Sequence, residues 1–252
     1  MSDSIIMTAL AIIGLGIVSI VLIICRCVRQ HKINEQIRIN EYKQNQELIR
    51  TVTDFDRGTG AERDLILGLL KYGISSQAIF HDLYVRKHNG KFSQIDLVVA
   101  TKVSIIVFEV KDYSGWIFGN GKNTQWTQVL AYGRNKYRFY NPIMQNASHM
   151  AELQKRLSQC APVPFYSVIV FCGDCELREI SFVPEGTFIV KQNRVLEVVD
   201  AIVRNNYPAN YSDKNEVVRI LKASVQNGNN EQTRIRHVEN IKDMLGTDRV
   251  FR

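Results

Sequence analysis

The sequence predicts an α/β fold, a mixed central sheet flanked by helices, preceded by a single transmembrane helix. Three observations lead there. Residues 5–24 form an uncharged apolar run. Two short apolar segments, 94–100 and 104–111, are joined by almost nothing and read as buried strands. Segments with helical periodicity alternate with short apolar runs along the rest of the chain, the pattern of packed α/β layers. The expected organisation is an anchor at 1–25, a polar helical stalk at 26–55, a globular α/β domain at 56–206 and a helical extension at 207–252.

The run at 5–24 is interrupted only by Thr8, Ser19 and two glycines. About 20 apolar residues suffice to cross a hydrocarbon core. A cleaved signal fits less well: Asp3 is the sole charge before the run, the run is too long, and no small-x-small site follows. Arg26, Arg29 and Lys32 come directly after it, which puts that side in the cytoplasm. The expectation is a single-pass membrane protein with its α/β domain in the cytoplasm. Cys25 and Cys27, just past the run, are placed where reversible acylation occurs. From residue 33 to 54 the chain is polar and of mixed charge. A thin stripe of Ile33, Ile37, Leu48 and Val52 is broken by Asn40 and Gln44, so a solvated stalk is favoured over a short coiled coil.

Thr59 followed by Glu62 is a capping box at the start of a helix whose apolar face is Leu65, Ile66, Leu69 and Leu70. Residues 78–85 read as a strand containing His81, a packed or exposed histidine rather than a ligand. Then come the two apolar segments. With a turn at 101–104, Ala100 pairs with Ile105 and Asp96 falls opposite Glu109. Two facing carboxylates repel unless something positive lies between them. Alternation puts Lys111 on the same face as Glu109. An acidic pair beside an ammonium points to a divalent cation and a charged transition state.

Further on, residues 116–118 and the Gly119-Asn-Gly121 turn make a second hairpin. Trp126 is expected in the core. Asn141-Pro142 opens a helix to about Leu157, with Ile143, Ala147, Met150 and Leu157 as core candidates. Asn146 and His149 share that helix, where capping and surface roles are favoured over phosphate contact. Strands at 163–172 and 186–190 and a helix at 194–206 continue the layers. The tail from Ser212 reads as two amphipathic helices split at residues 227–230, polar and peripheral.

The chain has 252 residues, 45% hydrophobic and 23% charged, which is globular and not disordered. A net charge of +7 favours polyanionic partners, nucleic acid or an anionic membrane surface. Five cysteines, an odd number in a large chain, do not suggest a disulfide framework. Cys172 and Cys175 have C-x-x-C spacing without a second pair and read as reduced thiols at a strand end.

Asp96 with Glu109-Val110-Lys111 resembles the PD-(D/E)xK nuclease pattern, an isolated acid followed by E-x-K. Around it stand Gly60-Ala-Glu62, Gln94-Ile-Asp96, Gly115-Trp116-Ile-Phe-Gly119, Trp126, Asn141-Pro142-Ile-Met-Gln145-Asn146 and His149. In that order they resemble the nuclease-related domain, NERD, over roughly residues 58–157. The resemblance implies a restriction-endonuclease-like fold and a metal-dependent nuclease, of endonuclease type and acting on DNA. It implies Asp96, Glu109 and the Val110 carbonyl as ligands of Mg2+, with Mn2+ able to substitute. Lys111 would orient or help deprotonate the attacking water, and Gln145, in competition with Gln128, would position Lys111 or the phosphate. Glu62 would face the metal site, a role compatible with its cap. Lys122, Arg134, Lys136 and Arg138, interleaved with aromatics, are candidate backbone contacts, against the plainer reading of a solvated hairpin. Nucleases that cut both strands often pair, so a homodimer is compatible. A fold retained without turnover, as a nucleic-acid or protein binding module, is the competing reading.

Overall fold

The computed structural model describes residues 2–87, 89–130, 133–160 and 163–235, with few side chains before residue 24. It divides into two units, Met1–Leu48 and Ile49–Arg252. The first is carried by helix α1 (Ser2–Arg50), which runs without a break through the expected anchor and stalk. The expected membrane span lies outside the described side chains except for Met7, Leu22 and Ile24. Among the described residues no helix is long and apolar enough to cross a membrane. Gln30 donates to Asn34 and Gln36 to Asn40, i,i+4 bonds that support a solvated helix. Ile33 and Ile37 on the expected stripe are exposed.

The second unit holds two mixed sheets, where the sequence predicts one. The larger has the order β1 (Ile79–Arg86), β2 (Phe92–Ala100), β3 (Ile105–Asp112), β7 (Phe165–Cys172), β9 (Thr187–Lys191). Its first three strands are antiparallel neighbours, and β3, β7 and β9 run parallel. The smaller has the order β6 (Asn135–Tyr140), β5 (Gln125–Leu130), β4 (Gly115–Asn120), β8 (Cys175–Ser181). Periodicity reveals neither β6 nor β8, because β6 is almost wholly exposed and β8 mostly so. Backbone pairing to β5 and β4 fixes them instead of burial.

Helix α2 (Gly60–Tyr72) starts at Thr59, whose hydroxyl accepts from the Glu62 N–H, and stops at Gly73 with φ 103°. Its Leu65, Ile66 and Leu69 are buried with Val195, Val199 and Ile202 of α4 (Val195–Asn205) against Leu97, Val99, Ile106 and Phe108. Each such side chain contributes roughly 1.5–3 kcal/mol by burial. The opposite face carries α3 (Pro142–Leu157) and α5 (Lys214–Asn227). Leu153 and Leu157 of α3 and Val217 and Leu221 of α5 bury Phe80, Leu83, Ile95, Val98 and Val107.

Two expectations are corrected here. The tail is not peripheral, since α5 completes the core: its apolar residues recur at helical spacing, and a short stripe is enough when a sheet face is waiting for it. Ala147 is exposed, while Asn146, His149 and Leu153 occupy the buried stripe of α3.

A third cluster joins the sheets. Trp126 is 1% exposed and stacks on Phe171 with centroids 6.2 Å apart. A Cβ on Gly119 would collide with the indole, so only glycine lets β4 pass beneath the ring. Cys172 and Cys175 are free and buried, Cys175 beside the Lys191 ammonium at 3.3 Å. Burial pushes the Cys172 thiol up to about 11.

Candidate active site

Register places the first site residues. Ala100 pairs with Ile105, Val99 with Ile106, Val98 with Val107 and Leu97 with Phe108. The next pair in this register is Asp96 with Glu109, and there the ladder stops. The Asp96 carboxylate instead accepts the Val110 N–H at 2.8 Å. Within a strand the N–H and C=O of one residue point to the same edge, so the Val110 carbonyl is turned towards Asp96 as well.

The ladder stops because both flanking strands change face. On β2, Leu97 and Val99 pack towards α2 and α4, whereas Ile95 packs towards α3 and α5. On β1, register pairs His81 with Leu97 and Leu83 with Ile95, passing over Asp82 and Asp96. Asp82 sits at φ 53°, which an aspartate tolerates better than most side chains. Arg57 donates to Asp82 Oδ2 at 3.0 Å and to its carbonyl at 2.6 Å, and Gln94 donates to Oδ1 at 2.7 Å. In an unbroken sheet, an acid on the α2 side and a lysine on the α3 side would be separated by the strands. Here Asp96 lies within reach of the charges of Glu62, Glu109 and Lys111 together.

Glu109 is 1% exposed. Its Oε1 takes the Lys111 ammonium at 2.5 Å, and its Oε2 lies 3.3 Å from His149 Nε2. Neither Oε2 nor that Nε2 makes a well-formed hydrogen bond. Ser93 Oγ, 2.8 Å from His149 Nδ1, fixes the ring from behind. Lys111 also donates to Gln145 Oε1 at 3.2 Å, whereas Gln128 donates to the Ser114 carbonyl away from this group. Geometry thus brings Gln145, and not Gln128, to the lysine.

Burial holds the Asp96 carboxyl well above its ordinary value, reinforced by the charges of Glu109 and Glu62. Burial also pushes Glu109 up, but His149 and Lys111 outweigh it and leave that group below the ordinary value. For Lys111, burial favours the neutral amine, and the two carboxylates outweigh that. One acid hard to ionise and one easy to ionise therefore flank a persistent ammonium.

Glu62 is buried on the α2 side. Its Oε2 meets His81 Nε2 at 2.8 Å, and its Oε1 accepts from the Thr59 hydroxyl at 2.8 Å. Thr53 Oγ1 lies 2.7 Å from the other nitrogen of His81. Gly58 has φ 63°, and a Cβ there would collide with both Glu62 and His81. Sequence reasoning gave both histidines the plainer role. His81 sits beside Asp82 in a mostly apolar strand, and only its partner Glu62 across the fold reveals its role. His149 was legible in one respect, being four residues after Gln145 on one flank of α3.

The expected backbone contacts lie on the smaller sheet and its turns. Arg134, Lys136 and Arg138 are exposed along the edge strand β6 and its approach, whereas Lys122 lies 4.2 Å over the Phe182 ring. Among the described residues no three His, Cys, Asp or Glu side chains converge on a metal position. A cation would have two carboxylates, Asp96 and Glu109, and the Val110 carbonyl. These are hard oxygen donors, and the unsatisfied Glu109 Oε2 is one of them. That set suits magnesium, which keeps several waters and takes one or two carboxylates.

Residues 57–172 match the nuclease-related domain, NERD. The match runs from Arg57 to the end of β7, so it contains every side chain placed above at the candidate site except Thr53. An uncharacterized protein of Bacillus anthracis is 25% identical over 192 residues, covering 73% of this chain and 84% of the relative. No solved structure matches.

Proposed function

We propose that the chain is a divalent-metal-dependent nuclease that hydrolyses phosphodiester bonds in DNA, tethered to a membrane by residues 5–24. The nuclease-related domain supports a nuclease-related function. One observation carries the finer reading: the Lys111 ammonium is held between Glu109 and Gln145 beside the Asp96 carboxylate.

In this reading Asp96, Glu109 and the Val110 carbonyl hold the cation, magnesium or manganese. When bound, it would neutralise charge on the phosphoryl oxygens and favour hydroxide at neutral pH. Lys111 stays protonated next to two acids and donates to the pentavalent oxyanion, a charge that grows only in the transition state. Gln145 limits the rotation of Lys111 and keeps the ammonium on the substrate side. His149 lies 3.3 Å from Glu109 Oε2 and lines the α3 side of that acid. Glu62, tied down by His81 and Thr59, adds negative charge behind Asp96 and strengthens its hold on a cation. The membrane tether rests on the apolar run and the basic residues that follow it.

The test is incubation of the full chain, purified in mild detergent, with linear and circular DNA plus magnesium or manganese. Cleavage that disappears with chelator, Asp96→Ala and Lys111→Ala supports the reading, and cleavage unchanged in those variants overturns it. A binding module without turnover is favoured by one observation, that the Lys111 ammonium already neutralises Glu109. Salt-sensitive DNA binding with no cleavage under either ion would establish that alternative.

A further inference from the structure

We infer that a basic groove between α3, α5 and the end of β1 is a second phosphate-backbone site, holding the substrate strand several nucleotides away from the scissile bond. The inference rests on the nucleic-acid reading above, and its α5 wall lies wholly beyond the segment that matches the nuclease-related domain.

The groove has a volume of about 480 Å3 and is lined by Arg86, Lys155, Arg156 and Arg219 against one carboxylate, Glu216. Arg156 donates to the Arg86 carbonyl at 2.5 Å, which brings two guanidinium-bearing residues side by side. Arg219 is held by Glu216 at 2.5 Å and Lys155 by Glu152 at 3.2 Å. Arg86 has no carboxylate partner among the described residues. Lys155 and Arg156 have a plain explanation, since cations in the last turn of α3 complement its dipole. Arg86 closes a strand and Arg219 lies in the first half of α5, so neither serves a helix end. Arg86 and Arg156, without carboxylate partners among the described residues, leave the concavity an excess of positive charge that an anion would offset.

Helix α3 connects this groove to the candidate active site. Gln145, His149, Glu152 and Arg156 follow one another at four, three and four residues, on a single flank of the helix. Along that flank Gln145 meets Lys111 on β3, His149 meets Ser93 on β2, and Arg156 meets the Arg86 carbonyl on β1. Gln145 and Arg156 are about 16 Å apart along the axis, at about 1.5 Å per residue. That span is roughly five steps of a helically stacked strand, at about 3.4 Å of axial rise per step. Glu152 lies between them and is the one opposing charge on the path, neutralised by Lys155. A backbone bound at Lys111 would therefore reach the groove only if it extends about five nucleotides to that side.

The experiment is fluorescence anisotropy with the full chain in mild detergent and chelator, using labelled single strands of about 4 and about 20 nucleotides. Wild type should bind the longer strand at least about tenfold more tightly. Arg86→Ala and Arg219→Ala should each remove about fivefold of that gain and flatten the salt dependence by about one ion, while Arg86→Lys keeps most of it. An unchanged length dependence in both alanine variants overturns the inference, as does a wild type with no length dependence. Loss of binding to phosphatidylserine vesicles with DNA binding intact also overturns it, assigning the groove to a lipid surface. Cleavage is read separately: a groove-dependent gain in a protein that never cuts DNA leaves this inference standing and removes the proposed turnover.

Discussion

Arg57 holds Asp82 by its side chain and its backbone at once, through Oδ2 at 3.0 Å and the carbonyl at 2.6 Å. The same guanidinium reaches the Val225 carbonyl and Asn229 Oδ1, at 3.1 and 2.7 Å. One residue thus ties the positive φ of Asp82 on β1 to the end of α5. Because Asp82 stands across from Asp96 where both strands change face, this clamp sets where the isolated acid points.

Arg57→Ala should therefore destabilise the protein by about 3–5 kcal/mol, the cost of leaving a buried partner charge unpaired. A urea denaturation midpoint measures it. Asp82→Asn, which keeps the acceptor for Arg57 and tolerates the same φ, should cost much less. Equal losses in the two variants would mean that charge pairing, and not backbone geometry, dominates the clamp.

Asp96→Asn is expected to raise thermal stability in chelator at neutral pH and to abolish cleavage. The sign follows from the raised carboxyl. A group whose folded value lies above its unfolded value, about 3.9, favours folding only while protonated. That contribution is full below the unfolded value and is lost as pH rises through the folded one, so the acid weighs increasingly against folding as pH rises. Asparagine keeps the acceptor for the Val110 N–H without the charge. Calorimetry at pH 5 and pH 8 should show the gain in melting temperature growing with pH.

Much of this arrangement is legible in the sequence, and the rest is hidden for identifiable reasons. The 101–104 turn and the apolar runs beside it determine the β2–β3 register, which is why Asp96 and Glu109 come out as neighbours in order. Asn141-Pro142 marks the start of α3, and with it the approach of Gln145 to Lys111. The face change at Asp82 and Asp96 leaves no local signal, since it depends on Arg57 arriving from before α2 and on α5 from the far end of the chain. His81 and His149 look inert for the same reason: each is defined by a carboxylate on another element. Strands β6 and β8 are polar, so pattern alone does not distinguish them from loops.

Glu62 provides a pH test with the opposite sign. Burial pushes its carboxyl up, but the bonds from His81 and Thr59 outweigh it and leave it below the ordinary value. Its stabilising contribution is present above the unfolded value of about 4.3 and is lost as pH falls through the folded one. Glu62→Gln should cost about 1.5–3 kcal/mol at pH 7, the range for hydrogen bonds to a charged group. The gap to wild type should close on titration below about pH 4. A gap that persists at acid pH would assign the loss to packing around His81 instead.

The pairing of Lys111 with Glu109 should be stronger than either residue's separate contribution. Lys111→Met removes the ammonium and leaves a carboxylate that is 1% exposed with only His149 beside it. That variant should lose about 3 kcal/mol in chelator at pH 7. Adding Glu109→Gln to it removes the stranded charge and should restore most of the loss, although cleavage stays absent. The double-mutant cycle, read from urea midpoints, isolates the coupling because each substitution preserves volume. Additive losses would show that the ammonium faces solvent or substrate rather than Glu109, and Gln145→Leu would then have no effect on the lysine's position. With strong coupling, Gln145→Leu should lower the cleavage rate about tenfold and leave stability within about 0.5 kcal/mol, because it frees a side chain that stays paired with Glu109.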